Sequence, residues 1–342
     1  MKYRFLLAIT VVATVIASFY FLTLGSINLS FKDIIDIALY EKDSPLKIIL
    51  FEIRFPRIIT SILIGMMLAG SGTITQTVFR NSLADPYIIG ISSSATFGAV
   101  LAYILNFSES TYGIFGFICS LITSIIIFKI SNFTSNTNVS NLLIIGIAIS
   151  ALLGAFTSFA IYFIGEDSFK IIMWTMGYLG YSSWKKIAIL LLPLIFSSFY
   201  FYIKRFELDL LLCSEEEAFA MGIDTKKLKL KLLVISSLIV GFSVAFTGMI
   251  GFVGIIIPHI VRLLVKNSNR KVIPLSMLLG GLFLLISDTI ARTIIEPTEV
   301  PIGVITAFLG APFFLFLAFK RRRVWKHLQS IILILIMEIK KF

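Results

Sequence analysis

Few residues in this chain have the type and spacing to do chemistry. His259 stands alone in an apolar segment and His327 lies near the C-terminus, so no histidine ligand set for a metal can be assembled. His259 follows Pro258, and a structural role at the start of a helix is expected of it. Asp288 precedes Arg292 by four residues, the spacing of an intrahelical ion pair, so partial neutralisation by Arg292 is expected. Glu296 and Glu299 read as solvated charges of an outer loop. Cys119 and Cys213 lie in or beside apolar segments and offer neither a disulfide framework nor metal spacing. An intramembrane protease or lipid-modifying enzyme would need a Ser/His dyad, paired aspartates or a His-Glu zinc motif, and none is present. No glycine loop followed by Lys-Ser or Lys-Thr exists to cradle phosphate, so the chain is not expected to hydrolyse a nucleotide.

Charge is gathered in one long segment, Lys204 to Lys231. It opens with Lys204-Arg205-Phe206-Glu207-Leu208-Asp209 and continues through Glu215-Glu216-Glu217-Ala218-Phe219-Ala220-Met221-Gly222-Ile223-Asp224. Lys226, Lys227, Lys229 and Lys231 close it. Ser214 can cap a short helix whose first turn carries three glutamates, where the helix dipole favours negative charge, and Gly222 sits where a C-terminal cap belongs. The pattern predicts a folded helix over about 214–223. It reads equally as a solvated loop helix and as a surface offered to a soluble partner.

These residues must be positioned by elements that are almost wholly apolar. Of 342 residues, 58% are hydrophobic and 14% charged, and mean hydropathy is +0.97, whereas soluble domains carry about a quarter charged residues. Hydrocarbon offers the backbone no water, so apolar runs of about 20 residues without alternation must be helices. Ten spans are expected: residues 5–24, 58–78, 88–105, 112–130, 142–164, 187–203, 232–246, a shorter one ending near 265, 273–295 and 304–319. The fold class is an all-α polytopic membrane protein. The first run follows Lys2 and Arg4 like a signal peptide, but it is long and no small-x-small site follows it, so it is expected to stay as a span.

Residues 28–52 read as an outer loop with an amphipathic piece near 31–39. Gly65, Ala69, Gly70, Ser71 and Gly72 suit close helix contacts, and Gly248 to Gly254 is too glycine-rich for an uninterrupted helix. Ten spans put both termini on one side. Most of the 30 Lys and Arg fall on that side, among them Lys320-Arg321-Arg322-Arg323, which assigns it to the cytoplasm. The same distribution accounts for the net charge of +11 without nucleic acid. Residues 324–342, apolar in part but too short to span, read as a cytoplasmic or interfacial tail.

Glu217-Ala218 followed by Gly222 resembles the cytoplasmic coupling helix of ABC-transporter permeases, and four further stretches narrow the resemblance. The first is Arg54-Phe55-Pro56-Arg57, leading through Ala69-Gly70-Ser71-Gly72 and Gln76 to Arg80-Asn81-Ser82-Leu83-Ala84-Asp85-Pro86 and Gly90. The second is Trp174 with Met176-Gly177, and the third Gly251-Phe252-Val253-Gly254 with Pro258-His259 and Arg262. The fourth is Asp288, Ala291-Arg292, Pro301-Ile302-Gly303, Thr306-Ala307 and Gly310-Ala311-Pro312-Phe313-Phe314. In this order, over residues 1–323, they are similar to the permeases that import ferric siderophores, haem and vitamin B12, the FecCD-type importers. Ser82 departs from the pattern, where the family usually has proline, and the tail from Val324 is not generally shared.

The resemblance implies a dimer, of this chain with itself or a close relative, around one pathway. It implies coupling through Glu216, Glu217, Ala218, Met221 and Gly222 to two cytoplasmic ATPase subunits that use ATP and Mg, with no cofactor and no catalysis on this chain. It implies an extracytoplasmic substrate-binding protein whose glutamates meet Arg54, Arg57 and Arg292, guanidinium–carboxylate pairing being the chemistry. By residue type alone these three also read as interfacial arginines snorkelling to headgroups. Asn81 and Leu83 are implied to form a cytoplasmic gate, and turn chemistry accounts for the asparagine equally. The implied location is the bacterial cytoplasmic (inner) membrane. Ferric siderophore is the commonest cargo of the family, with haem and cobalamin next. The alternative is an ion-gradient-driven secondary transporter: the break around Gly251 fits it, while the coupling segment and the scarcity of buried acids do not.

Overall fold

The computed structural model describes residues 2–25, 27, 29–39, 44–108, 111–133, 139–165, 168–213 and 215–320, and among them all regular structure is helical. The expected tail after 323 and the expected cap at Ser214 lie outside the described residues. Seven helical stretches are long and apolar enough to cross a bilayer. They are α1 (Lys2–Thr23), a continuous stretch Pro45–Val78 ending in α4 (Phe55–Val78), α6 (Tyr112–Phe133), α7 (Val139–Ile164), α9 (Trp184–Ile203), α12 (Thr225–Thr247) and α14 (Asn269–Thr293). Three more apolar helices, α5 (Ile91–Ile104), α13 (Val253–Val265) and α15 (Ile302–Lys320), complete the ten expected spans.

At the centre stands α4, buried along nearly its whole length against α9, α12, α13 and α14. Its small residues are the cause. A Cβ added at Gly72 would lie 1.8 Å from the Gly254 carbonyl oxygen, so at that point α4 and α13 touch backbone to backbone. Polar side chains inside this contact pair with each other, as Ser71 Oγ and Ser236 Oγ do at 2.5 Å. By contrast α7 stands at the edge, with Ile144, Ile147, Phe159, Tyr162 and Phe163 exposed.

One outer-loop detail differs from expectation and one agrees with it. Helix begins at Pro45 rather than near 58: Ser44 caps α3 (Pro45–Ile48), and a six-residue π segment, Ile49–Arg54, joins it to α4. The turn α2 (Phe31–Leu39) forms as expected behind a capping box, with Ser30 N donating to Asp33 Oδ2 at 2.8 Å and Asp33 N donating to Ser30 Oγ at 3.1 Å. The hydrogen bonds from Ser30 hold the Asp33 carboxyl below its ordinary range.

Helices α5 and α13 are too short to cross alone. At 1.5 Å per residue they span about 21 and 20 Å, against a hydrocarbon core of about 30 Å. The missing length is irregular backbone on both sides. After α4, residues 79–90 fold back, Asp85 capping a 3-10 turn, Pro86–Ile89, through a 2.8 Å bond from Tyr87 N. After α12, residues 248–252 run inward and Phe252 adopts a φ of 69° to start α13. The two irregular stretches meet, the Tyr87 hydroxyl lying 3.4 Å from both the N–H and the carbonyl of Ile250. His259 therefore lies in the middle of α13 and not at a helix start, because the Gly251–Phe252 turn begins that helix at Val253, ahead of Pro258-His259.

Candidate functional site

At the inner face the charged segment folds into two helices, α10 (Arg205–Cys213) and α11 (Glu215–Ala220). Gly222, at φ 82°, ends α11 in a Schellman motif: Ile223 N donates to Ala218 O at 3.0 Å and Gly222 N to Phe219 O at 2.9 Å. Asp224 then caps α12, and the bond from Lys227 N holds its carboxyl below the ordinary range. Ala218 is fully buried and anchors α11 to its own chain, while Glu216, Glu217, Met221 and Gly222 are exposed. Phe219 and Met221 are 73% and 67% exposed, an apolar pair presented beside glutamates.

At the outer end Arg54, Arg57 and Arg292 come together, but they are only 5%, 6% and 9% exposed. Arg57 reaches Asp288 through Nε at 3.1 Å and Nη2 at 2.9 Å, and Glu299 through Nη1 at 2.8 Å and Nη2 at 3.0 Å. Asp288 is thus neutralised mainly by Arg57 from α4, with Arg292 Nε farther off at 3.5 Å; a contact across 231 residues outweighs the local i,i+4 one. Glu299 is likewise paired to Arg57 and not simply solvated, although it is exposed, as Glu296 is. Arg54 donates to the carbonyls of Leu22 and Ile27 and Arg292 to that of Leu24, so the two guanidiniums grip the connection after α1. Any carboxylate arriving from outside meets arginines already engaged.

Between these faces runs a groove of about 740 Å³, lined by Tyr87, Ser92, Met176, Met249, Phe252 and Phe308 among others and open on one side. Its walls include both irregular stretches, where non-helical backbone at membrane depth is tolerated because it faces a cavity. At the inner end Asn81 accepts a bond from Leu83 N at 2.9 Å, an Asx turn, and Leu83 is exposed. Asn81 does perform turn chemistry, and Leu83 is free to act as a surface.

Comparison with known proteins agrees with this architecture. Residues 11–320 match the family described as the FecCD transport family. This chain belongs to that family. The hemin transport system permease HmuU of Yersinia pestis is 34% identical to this FecCD chain over 93% of it and 96% of HmuU. The cobalamin import permease BtuC of Halobacterium salinarum is 40% identical over 79% of this chain and 73% of BtuC. A solved structure, described as an inward-facing metal-chelate type ABC transporter, superposes with a TM-score of 0.81 at 31% identity, covering 92% of this chain and 98% of that one.

One feature of the FecCD permease escapes reading from sequence: how the inner helices grip the bundle. Asp209 of α10 accepts from Asn269 N at 2.7 Å and Asn269 Nδ2 at 2.8 Å, capping α14 from a different helix. Thr77 of α4 donates to Asn269 Oδ1 at 3.3 Å and accepts from Arg262 of α13 at 2.8 Å. Arg80, the residue before Asn81, donates to the Leu211 carbonyl of α10 at 2.6 Å. The inner helix pair is thereby tied to α4, α13, α14 and the Asn81 turn. Asp209→Ala should cost about 1–2 kcal/mol, read as a lowered thermal midpoint in lipid, with Asp209→Asn intermediate; identical melting of all three proteins would show that the cap carries no weight.

Proposed function

We propose that this FecCD permease is the membrane subunit of an ATP-driven importer that receives a metal chelate, a ferric siderophore being the family's commonest cargo, from a binding protein and passes it to the cytoplasm. The observation that carries the reading is α11, closed by its Gly222 cap and presenting Phe219 and Met221 at the cytoplasmic face. Two copies of the chain, or this chain and a relative, would close the open side of the groove along α15. One ATPase subunit under each α11 would bind ATP and Mg, and its closure would move α11 as a rigid body. The Asp209 and Arg80 links would carry that shift to α14 and to the turn holding Asn81 and Leu83, which we assign as the inner gate.

For Arg54, Arg57 and Arg292 we infer a docking role exerted through field. Three guanidiniums face two carboxylates, so the cluster keeps a net positive charge at the outer rim, which attracts an acidic binding protein without breaking its internal pairs. Glu216, Glu217, Met221 and Gly222 would meet the ATPase directly, with Ala218 setting their pose. The membrane we assign is the cytoplasmic one.

The test is ATP hydrolysis by this chain reconstituted in lipid with its partner ATPase, with and without loaded binding protein. Stimulation by the loaded binding protein is expected. Phe219→Asp with Met221→Ser should weaken ATPase association tenfold or more, since each side chain withdraws about 1.5–3 kcal/mol of apolar burial, while insertion stays normal. Unchanged co-purification of the double variant would refute the coupling assignment.

A further inference from the structure

A second cavity, of about 860 Å³, lies on the outer side between α6, α9, α12 and the short helix α8 (Ser168–Thr175). It is separate from the groove: Trp174 and Gly177 line the cavity, whereas Thr175 and Met176 line the groove, so α8 and the turn after it are the wall between them. That wall is pinned on both flanks, Tyr178 N donating to Thr247 O at 2.8 Å and Gly303 N to Met176 O at 3.0 Å.

The lining has a definite chemistry. Six rings surround the space, those of Tyr112, Phe169, Trp174, Tyr178, Tyr181 and Phe246, and no leucine, isoleucine or valine takes part. Lys186 places its ammonium 5.8 Å from the centre of the Tyr181 ring and 6.0 Å from that of Phe246, and among the described residues no carboxylate lies within ion-pair distance of it. The one carboxylate of the lining, Glu299, is taken by Arg57 through both oxygens. The cavity thus offers flat π faces and, in Lys186, a cation held by rings alone, with a second lysine, Lys170, also in the lining, at a size within the range of small-molecule sites. Acyl chains would call for walls of branched aliphatic residues, whereas the aliphatic part of this lining is Met173, Ala245 and Pro301.

We propose that this cavity is an entry site for a metal chelate whose ligand shell is flat, conjugated and anionic, its rings stacking on the aromatic walls and its carboxylate or phenolate oxygens meeting Lys186. The inference rests on the importer reading above and narrows its cargo to such chelates, excluding cationic or ringless ones.

The full chain in phosphatidylcholine nanodiscs would be titrated with hemin, with the iron(III) complex of 2,3-dihydroxybenzoate, with ferrioxamine B, which is cationic and ringless, and with molybdate, an anion without a ring, following tryptophan emission. Saturable quenching by hemin or the catecholate complex is expected, the stronger of the two naming the oxygen type. Lys186→Gln should weaken it at least about tenfold, as loss of a charge-assisted bond does, and Lys186→Arg should keep it. Trp174→Phe should remove most of the amplitude, whereas ferrioxamine B and molybdate should give none. Equal quenching in Lys186→Gln, a response to the ringless probes, or displacement by phosphatidylglycerol regardless of Lys186 would overturn the site, the last marking a lipid pocket. Co-purification of the unaltered chain with the ATPase separates the two readings: no saturable hemin or catecholate binding with pairing intact strikes the cavity assignment alone, and failure to pair with any ATPase strikes the importer reading.

Discussion

Asp288→Ala is expected to lower stability by about 3–5 kcal/mol, the loss that follows when one member of a buried ion pair is removed. Asp288 is fully buried beside two guanidiniums, and the cluster is already short of negative charge, with three arginines against Asp288 and Glu299. Carbonyls of Leu22, Ile27 and Leu24 make up part of the deficit, so nothing nearby is left to replace the lost carboxylate. Asp288→Asn keeps the shape and should fare nearly as badly, which separates charge from packing. Arg57→Met combined with Asp288→Met should recover most of the loss, because Glu299 at its half-exposed edge can return to water. Thermal unfolding in lipid reads all four proteins, and an Asp288→Ala variant that melts with the unaltered chain would show that the cluster adds no net stability.

The second large effect falls at a position without any side chain. Gly72→Leu should prevent assembly of the bundle, a loss of more than about 4–5 kcal/mol, because the added Cβ would stand 1.8 Å from the Gly254 carbonyl oxygen and neither backbone can yield alone. Gly70 is the internal control. A Cβ there meets only the flexible Met277 side chain at 3.3 Å, so Gly70→Ala should stay within about 1 kcal/mol of the parent. Size-exclusion profile and melting temperature decide; a monodisperse, stable Gly72→Leu protein would contradict the backbone contact.

Much of this architecture is legible in the amino-acid sequence. The ten apolar runs, the small-residue face of α4, the break before Gly254 and the Gly222 cap each follow from local rules, and each is where those rules put it. What cannot be read there is set by long-range pairing. Arg57 lies 231 residues from Asp288 and Asp209 lies 60 from Asn269, and no periodicity or spacing couples such positions. Local arithmetic favours Arg292 for Asp288 because four residues make one helical turn, yet tertiary packing brings the Arg57 fork closer. Ala218 and Phe219 are ambiguous for a related reason: which side of a six-residue helix faces its own chain depends on how α10 and α12 hold it. Nothing in the local spacing singles out Lys186; its place beside the rings of Tyr181 and Phe246 is set by the fold.

The two short helices have an electrical consequence. Both α5 and α13 begin at the groove, Ser92 in the first turn of one and Phe252 at the cap of the other lining it. Each helix start carries about half a positive charge, and in surroundings of low polarity that charge is poorly screened. Two such ends on one groove raise the energy of small cations there, while Asp85, which also lines it, lowers it, so backbone dipoles and a single carboxylate set the polarity of this groove against each other.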